Sequence, residues 1–160
     1  MKITTSRTQE LTQHLKRSGL RPTQQRLALA HLLFKEQDRH VSAEVLHQEA
    51  QNAGVRVSLA TVYNTLNRFQ EVALVREVVV DSCRSYFDTN LTPHAHIYHE
   101  QTGELVDAPL CLHPDVLSAL VPEGTEAVSV DVVVRVRAKG SLHSSEAHRE
   151  DQAHPEDEAL

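Results

Sequence analysis

The sequence predicts an α+β fold, in which an N-terminal winged helix-turn-helix is followed by a small α/β dimerisation domain. Two changes of pattern along the 160 residues carry this prediction. As far as Leu74, apolar residues recur at helical spacing in several short segments, and beyond it the spacing changes to two, which is typical of strands. Three or four short helices followed by a β-hairpin is the element order of a winged helix-turn-helix.

The first two helices are indicated by their ends. Leu11 and Leu15 fall on one face of a short amphipathic helix, and Gly19 is a favourable residue to end it. Thr23 follows Pro22 and is suited to cap a second helix, QQRLALAHLLFK. The predicted inward residues of this second helix are Leu27, Ala30, His31 and Phe34.

Serine residues mark the starts of the third and fourth helices. Ser42 precedes AEVLHQEAQNAG, and Gly54 ends that helix. Its predicted apolar stripe is Val45, Leu46, Ala50 and Ala53. Ser58 caps the fourth helix, LATVYNTLNRFQEV, whose predicted inward residues are Leu59, Val62, Leu66 and Phe69. The alternating segment VREVVV, the polar turn DSCR and the segment SYF then predict a β-hairpin.

The fourth helix, residues 58–71, is the predicted recognition helix for the major groove of DNA. Its outward residues are short hydrogen-bonding groups and one cation, which suit phosphates and base edges: Ser58, Thr61, Asn64, Thr65 and Arg68, with Tyr63 at the margin. Upstream cations add a strip for phosphates: Lys16, Arg17, Arg21 and Arg26. The predicted DNA-binding residues are therefore Arg17, Arg21, Arg26, Ser58, Thr61, Tyr63, Asn64 and Arg68. An ordinary amphipathic helix is the alternative, because periodicity alone does not reject it.

Charge is distributed unevenly between the two halves. The formal net charge of −6 argues against a nucleic-acid partner when taken alone. Residues 1–80, however, carry 11 Lys and Arg against 7 Asp and Glu, whereas residues 81–160 carry 5 against 15. Such an asymmetry is a hint of a nucleic-acid or membrane surface on the basic half, although mixed charge is more often a solvated face.

Two classes of protein are disfavoured by what the sequence contains. Neither an apolar run long enough to span a membrane nor an N-terminal apolar segment typical of export is present, so we expect a cytoplasmic protein without a membrane partner. Cys83 and Cys111 are too few for a four-thiolate zinc site. The polar, acidic residues 140–160 predict a disordered tail.

Histidine and aspartate residues in the second half predict a metal site. His94 and His96 are two apart on a predicted strand, so both rings point to one face. Asp88 precedes them by six residues, and a turn at Gln101-Thr102-Gly103 can return Asp107 towards them. Imidazoles and carboxylates together suit Fe(II), Mn(II) or Zn(II).

Several of these segments together resemble the ferric uptake regulator (Fur) superfamily of metal-responsive repressors. They are LRPTQQR, RHVSAEVLHQEA, VSLATVYNTLNRF, SYFDTN and HAHIYHEQTGELVD, and the resemblance covers about residues 10–138. The segments RPTQQRLALAHLLF, REVVVDSCRSYFDTN and VDVVVRVRAK are most similar to the iron-response (Irr) branch.

The resemblance implies a set of five ligands for a regulatory metal. In peroxide-sensing members these are a His before the third helix, an Asp, a His-x-His pair and a later Asp. The matching positions here are His40, Asp88, His94, His96 and Asp107. His40 comes from the resemblance alone, since locally it is only a polar residue ahead of a helix cap.

Departures from the family pattern narrow the expected cofactors. Members with structural zinc carry two CxxC pairs, and the place of the first reads His99-Glu100-Gln101-Thr102 here, so no structural zinc held by four cysteines is expected. Some Irr proteins bind haem through Cys-Pro, but Arg84 follows Cys83 and Leu112 follows Cys111. Coordination by His94 and His96 is the remaining way in which this chain could bind haem. Pro93 stands where the Irr branch often has a further histidine, which puts a second metal site in doubt.

The resemblance also implies an organisation and a mechanism. We expect a winged-helix DNA-binding domain at 1–88, a hinge at 89–93 and a metal-binding dimerisation domain at 94–139. A homodimer would bind a pseudo-palindromic double-stranded operator. The strand AVSVDVVVRVRA is apolar on both faces at its centre, and a second subunit can cover it. Metal would lock the hinge in the orientation that binds DNA.

Three functions are consistent with these residues, and a fourth, a metal buffer without DNA binding, is disfavoured by the segment SLATVYNTLNR. The first is a transcription regulator, mainly a repressor, of iron and haem homeostasis genes. The second is a peroxide-sensing, metal-dependent repressor of the same superfamily. The third is a metallohydrolase, which neither an HExxH nor a nucleophile-elbow motif supports, so we expect no enzyme activity.

Overall fold

The structure is a computed structural model that describes residues 5–35, 37–82, 84–109, 120–128 and 130–139. The helices in these ranges are α1 (Thr5–Arg17), α2 (Gln24–Leu33), α3 (Ala43–Asn52) and α4 (Leu59–Glu71). The strands are β1 (His40–Val41), β2 (Arg76–Asp81), β3 (Arg84–Asp88), β4 (Ala95–His99), β5 (Glu104–Ala108) and β6 (Val133–Val136). The fold is the predicted one: an N-terminal winged helix-turn-helix followed by strands of a small α/β domain.

The predicted capping residues begin and end the helices. Thr23, Ser42 and Ser58 each have extended backbone, and each side chain accepts a hydrogen bond from the backbone N–H three residues later. Such caps satisfy donors that the first turn of a helix leaves unpaired, and each is worth about 1 kcal/mol. Gly19 has a φ of +78°, which lets the chain turn away after α1.

The helices pack around one apolar cluster. Its fully buried members come from every helix and include Leu15, Leu33, Leu46, Leu66 and Phe69. Burying a side chain of this size stabilises a fold by about 1.5–3 kcal/mol. The cluster therefore fixes the orientation of α4, the predicted recognition helix.

Burial corrects three details of the predicted helix faces. Val45 is 49% exposed, and Ala53 is also exposed, because α3 contacts the core through a narrower stripe that begins at Ala43. Thr65, an outward residue in the sequence prediction, is buried, since it lies three residues after Val62 on the inward face of α4. Helix α2 is buried over most of its second half because it contacts α1, α3 and α4: Leu29, Ala30, His31, Leu32 and Leu33.

The first sheet has the order β1-β3-β2, with both pairs antiparallel. Strands β2 and β3 are the predicted hairpin, and β1 adds a short third strand. Asp88 at the end of β3 lies between His40 on β1 and Arg76 on β2, and is in register with both. Side chains that oppose one another across antiparallel strands share a face, so these three residues form a row.

The second sheet has the order β5-β4-β6. The predicted β4–β5 hairpin is antiparallel and places His96 opposite Asp107, while β6 runs parallel to β4. The predicted strand AVSVDVVVRVRA is shorter than expected, because its pairing with β4 covers only Val133–Val136. The sequence also predicts a short helix that begins near Pro114, and both that segment and the predicted tail at 140–160 lie outside the described residues.

A second apolar cluster joins the two sheets. Val78 and Val80 of β2 are buried together with Tyr98 of β4 and Leu105 of β5. Nearby, the hydroxyl of Tyr86 donates to the backbone carbonyl of the β4–β5 turn at 2.5 Å. The predicted hinge thus connects two lobes that are in direct contact. Among the described helices, none is both long enough and apolar enough to span a bilayer.

His31 makes stability dependent on pH. It is buried on α2 with its Nε2 3.2 Å from the hydroxyl of Thr8. Burial lowers its pKa, and the nearby guanidinium of Arg7 lowers it further. Because the pKa of this histidine is lower in the folded than in the unfolded protein, the neutral imidazole stabilises the fold fully above the unfolded pKa of about 6.5. This contribution to the free energy of unfolding is lost as the pH falls below that value.

We therefore expect the free energy of unfolding to fall between pH 7 and pH 5 more steeply in the wild type than in His31→Gln. Glutamine retains a partner for Thr8 but does not titrate. Urea unfolding of the metal-free protein at several pH values measures the difference. Parallel pH profiles for the two proteins would contradict the assignment.

Candidate metal centre

Three histidines and two aspartates come together where the two lobes meet. They are His40, Asp88, His94, His96 and Asp107, and one ligand atom from each lies within 4.8 Å of all the others. His40 and Asp88 belong to the first sheet, and the other three belong to the second sheet or the residue before it. The five residues predicted as a ligand set are thus close in space although 67 positions separate the first from the last.

Strand pairing places the first two donors. His40 opposes Asp88 across β1 and β3, and its Nε2 lies 3.5 Å from Asp88 Oδ1. Thr89 extends this pairing by one residue, since its hydroxyl accepts from the backbone N–H of Arg39 at 2.9 Å and its own N–H donates to the Arg39 carbonyl. The guanidinium of Arg39 in turn pairs with Glu49 on α3 at 2.7 Å. Helix α3 and the hinge therefore both hold the segment that carries His40 in place.

The second lobe supplies the remaining donors. Asp107 Oδ1 lies 2.9 Å from His40 Nε2 and 3.0 Å from His94 Nε2. Asp88 Oδ2 lies 3.2 Å from His94 Nε2 and 3.4 Å from His96 Nε2. Each carboxylate thus contacts histidines on both lobes, so the cluster is shared between them.

Hinge residues orient these ligands. The Nδ1 of His94 donates to the backbone carbonyl of Thr92 at 2.7 Å, which leaves the lone pair of Nε2 directed into the cluster. Asn90 donates from its backbone N–H to Asp88 at 2.8 Å and from its side chain to Asp107 at 2.9 Å. The predicted hinge segment therefore acts as a scaffold for both carboxylates and one imidazole.

Burial and polar contacts set the charge states of the two most enclosed donors. Burial alone would raise the pKa of Asp88, but the adjacent His40 imidazole, the Asn90 N–H and Arg76 outweigh it and lower this pKa to about 2. Burial lowers the pKa of His96, and the neighbouring His40 adds to the effect. At neutral pH Asp88 is an anion and His96 is neutral, which are the forms that coordinate metals.

The donor set fits a divalent cation. Nitrogen and carboxylate oxygen ligands without thiolate suit Fe(II), Mn(II) or Zn(II). The Nε2 of His40 is buried and directed at the cluster, yet it makes no hydrogen bond of good geometry within the described part of the chain. A buried polar atom without such a bond is costly, and a bound cation would satisfy it.

Comparison with known proteins identifies the family. Residues 17–134 match the model of the ferric uptake regulator family. The chain belongs to the ferric uptake regulator family. It is 34% identical over 93 residues to the peroxide-responsive repressor PerR of Staphylococcus aureus, a match that spans 58% of this chain and 62% of the relative. The chain thus covers less than two thirds of the length of this curated relative.

Solved structures of Fur-family proteins have the same fold. The ferric uptake regulator of Pseudomonas aeruginosa, determined with manganese, is 29% identical with a TM-score of 0.60, and the match covers 80% of this chain and 97% of that one. That of Vibrio cholerae is 22% identical with a TM-score of 0.66, over 80% and 99% of the two chains. The second likeness concerns the fold alone.

The predicted DNA-binding residues of this Fur-family chain are divided between two surfaces. A groove of about 530 Å³ between α2 and α4 is lined in part by Arg26, Thr61, Asn64 and Arg68. Arg21 adjoins it, since its carbonyl accepts from the Arg26 guanidinium at 2.5 Å. Ser58 lies at the start of α4, where its hydroxyl caps the helix. Arg17 instead lines a separate groove beside α1.

The structure shows several contacts of the candidate site residues that the sequence did not predict. Tyr63 donates to Glu44 on α3 at 2.5 Å, which raises the tyrosine pKa and lowers that of Glu44. Arg68 pairs with Glu71, and a spacing of three residues between opposite charges on one helix is a local signal for such a pair. Asn90 in the hinge and Arg76 on β2 contact the cluster. The contacts of Asn90 with Asp107 and of Arg76 with His94 and His96 join residues far apart in the chain, so they leave no local signal.

Asp107→Asn is expected to weaken Mn(II) binding by at least about tenfold, because it removes an anionic ligand that contacts two histidines. Glu104→Gln is the matched control, since it neutralises an exposed carboxylate on the same strand outside the cluster. Isothermal titration of the metal-free proteins measures both affinities. Equal loss in the two variants would show that only the general charge of β5 matters.

Proposed function

We propose that this chain is a metal-responsive, DNA-binding transcription regulator that acts mainly as a repressor. The observation that carries the proposal is the shared cluster, in which donors from the first sheet and donors from the second lie within 4.8 Å of one another. A site built in this way links metal binding to the relative position of the lobes. Family membership supports the same conclusion.

The proposed domain boundaries follow from the position of the ligands. Residues 1–88 would form the DNA-binding domain and end on a ligand, residues 89–93 the hinge, and residues 94–139 the metal-binding dimerisation domain. Asn90 and Thr92 of the hinge make hydrogen bonds to Asp88, Asp107 and His94. The hinge is therefore attached to the cluster on both sides.

Hinge locking is the proposed mechanism. Two ligands of the ion would come from the first lobe, His40 and Asp88. The other three would come from the second lobe: His94, His96 and Asp107. A divalent ion at this site supplies positive charge and a fixed ligand geometry. A bound ion would favour one lobe orientation only by as much as its affinity differs between the orientations, which is typically about 1–3 kcal/mol.

Exposed residues on α4 and in the second lobe support DNA binding by a dimer. Asn64 and Arg68 line the groove of α4 and are exposed, so both are accessible to base edges and phosphates. In the second lobe, Val130 and Val134 are 44% and 45% exposed. A second copy of the chain would cover these valines and present two recognition helices to a pseudo-palindromic operator.

Regulation of iron and haem homeostasis is the proposed role. The segments that resemble the iron-response branch support it, and Fe(II) or Mn(II) suits the donor set. We further propose that His94 and His96 can bind haem. The operator affinity of the haem-loaded protein is therefore measured beside that of the metal-loaded forms.

His40→Ala is expected to leave a dimer whose operator binding no longer responds to metal. In the wild type, Fe(II) or Mn(II) should strengthen operator binding by about tenfold, within the range that such coupling produces. The measurement is operator affinity of apo, Fe(II)-, Mn(II)- and haem-loaded protein at one salt concentration, because salt changes all DNA affinities.

His99→Ala is the matched control for this experiment. His99 is exposed at the end of β4 and lies outside the cluster. Its variant should retain the response of the wild type. An unchanged affinity and metal response in His40→Ala would refute hinge locking.

Peroxide sensing is the second candidate function. The identity of 34% to PerR favours it, as does a cluster in which histidine rings lie beside carboxylates that would hold iron. Bound Fe(II) would then make a ligand histidine the target of oxidation.

A peroxide sensor is expected to gain one oxygen atom on His40 or His94 when its Fe(II)-loaded form meets peroxide. Peptide mass spectrometry locates the added oxygen, and loss of operator binding should accompany it. The Mn(II)-loaded protein serves as the control. Intact histidines at a peroxide dose that oxidises methionine would favour the iron-status regulator.

A further inference from the structure

Arg76 places a permanent positive charge inside the ligand cluster. It lies on β2, opposite Asp88 and on the other side of that residue from His40. Its Nε donates to Asp88 Oδ2 at 3.0 Å, and its side chain is 21% exposed. The row across the first sheet thus brings both a ligand histidine and an arginine to the same buried carboxylate.

The same guanidinium also contacts both histidines of the His-x-His pair. Its Nη2 lies 3.1 Å from His94 Nε2 and 3.2 Å from His96 Nε2. It lies 3.4 Å from His94 Nδ1 and 3.5 Å from the His94 carbonyl as well. Arg76 therefore contacts three of the five ligands, and its contacts include the Nε2 atoms of both histidines, which face the cluster.

These contacts and metal coordination exclude one another. A guanidinium has only donors and keeps its charge at any ordinary pH, so it contacts a histidine nitrogen favourably only through that nitrogen's lone pair. A metal ion needs the same lone pairs. The hydrogen of His94 is on Nδ1, bound to the Thr92 carbonyl, which leaves Nε2 as the contested atom.

We propose that Arg76 is an internal cation that occupies the centre in the absence of metal and withdraws when metal binds. The inference rests on the proposed function, since it requires that these five residues bind metal. In the metal-free protein Arg76 neutralises the buried Asp88 and holds the lobes together. On loading, its hydrogen bonds to His94 and His96 break, coordinate bonds form at the same nitrogens, and Arg76 leaves with its charge unchanged.

A place for the withdrawn guanidinium lies at the edge of the cluster. The carboxylate of Asp131, just before β6, is 4.0 Å from Arg76 Nη1, and 43% of that side chain is exposed. A small rotation of the arginine towards this carboxylate would exchange one anionic partner for another. Because Asp131 belongs to the second lobe, Arg76 would continue to link the lobes after metal has bound.

Replacing Arg76 by glutamine separates this role from a purely structural one. Arg76→Gln should bind Mn(II) about tenfold more tightly than the wild type, because no positive charge has to be displaced. Its metal-free form should unfold at a lower temperature, since Asp88 loses a partner, so Mn(II) should raise its Tm by more than it raises that of the wild type. A residue that merely supports the ligands would give the opposite change in affinity.

Arg84→Gln is the matched control. Arg84 lies on β3 and contacts the hydroxyl of Tyr98, so it also bridges the two sheets, but it is outside the cluster. This variant should show the Mn(II) affinity and the Mn(II)-induced rise in Tm of the wild type. Tighter binding in both variants would attribute the effect to general charge and overturn the proposal.

Two further measurements apply if Arg76→Gln does not fold. Arg76→Lys keeps the charge but cannot reach three ligands at once, so its affinity for Mn(II) should lie above that of the wild type. In the wild type, the Nε–H of Arg76 should exchange with solvent slowly without metal and faster with Zn(II). Its signal in a nitrogen-15 spectrum is assigned by its absence from Arg76→Lys.

The outcomes distinguish the two proposals. A wild type that binds no Mn(II) or Zn(II) at this cluster refutes the proposed function and this inference with it. A wild type that binds one ion per chain, with unchanged or weaker binding in the Arg76 variants or with an Arg76 Nε–H that stays protected, refutes this inference alone.

Discussion

The pairing of His40 with Asp88 across β1 and β3 is the interaction on which the rest of this structure depends. Asp88 is fully buried, and an isolated carboxylate there would be strongly unfavourable. Partners from three directions compensate for it: His40 from β1, Arg76 from β2 and the backbone of Asn90 from the hinge. Strands β1 and β2 and the hinge are therefore joined at a single charged carboxylate. The second lobe supplies the remaining contacts of that carboxylate.

This arrangement places the candidate metal centre and the predicted recognition helix within one network of contacts. The apolar cluster of the helices holds α4 rigidly to α2 and α3, and Arg39 connects that cluster to β1 through Glu49 on α3. The strand that carries His40 is therefore linked to the packed helices by the ion pair of the preceding residue. The second apolar cluster, which includes Val78, Val80 and Tyr98, packs the two lobes against each other beside these donors.

Much of the fold was predictable because its signals are local. Thr23, Ser42 and Ser58 cap helices by contacts with residues three positions away, and the change of period after Leu74 comes from strand geometry. The predictions that were wrong concern burial and strand length, which depend on contacts with residues elsewhere in the chain. Val45 has the right spacing for an inward residue, yet α3 contacts the core through Ala43 and Leu46, and the strand around Val130 is short because β4 pairs only with Val133–Val136.

The sequence by itself determined the order of elements, the capping residues and four of the five clustered donors, since those follow from period, turn chemistry and short spacings; His40 came from family resemblance. Only the tertiary structure decided that His40 reaches Asp88 and that Arg76 lies among the ligands. Both contacts join residues on neighbouring strands that are far apart along the chain. Strand register, which is fixed by burial and pairing across the whole sheet, decides which distant residues meet, and no local pattern encodes it.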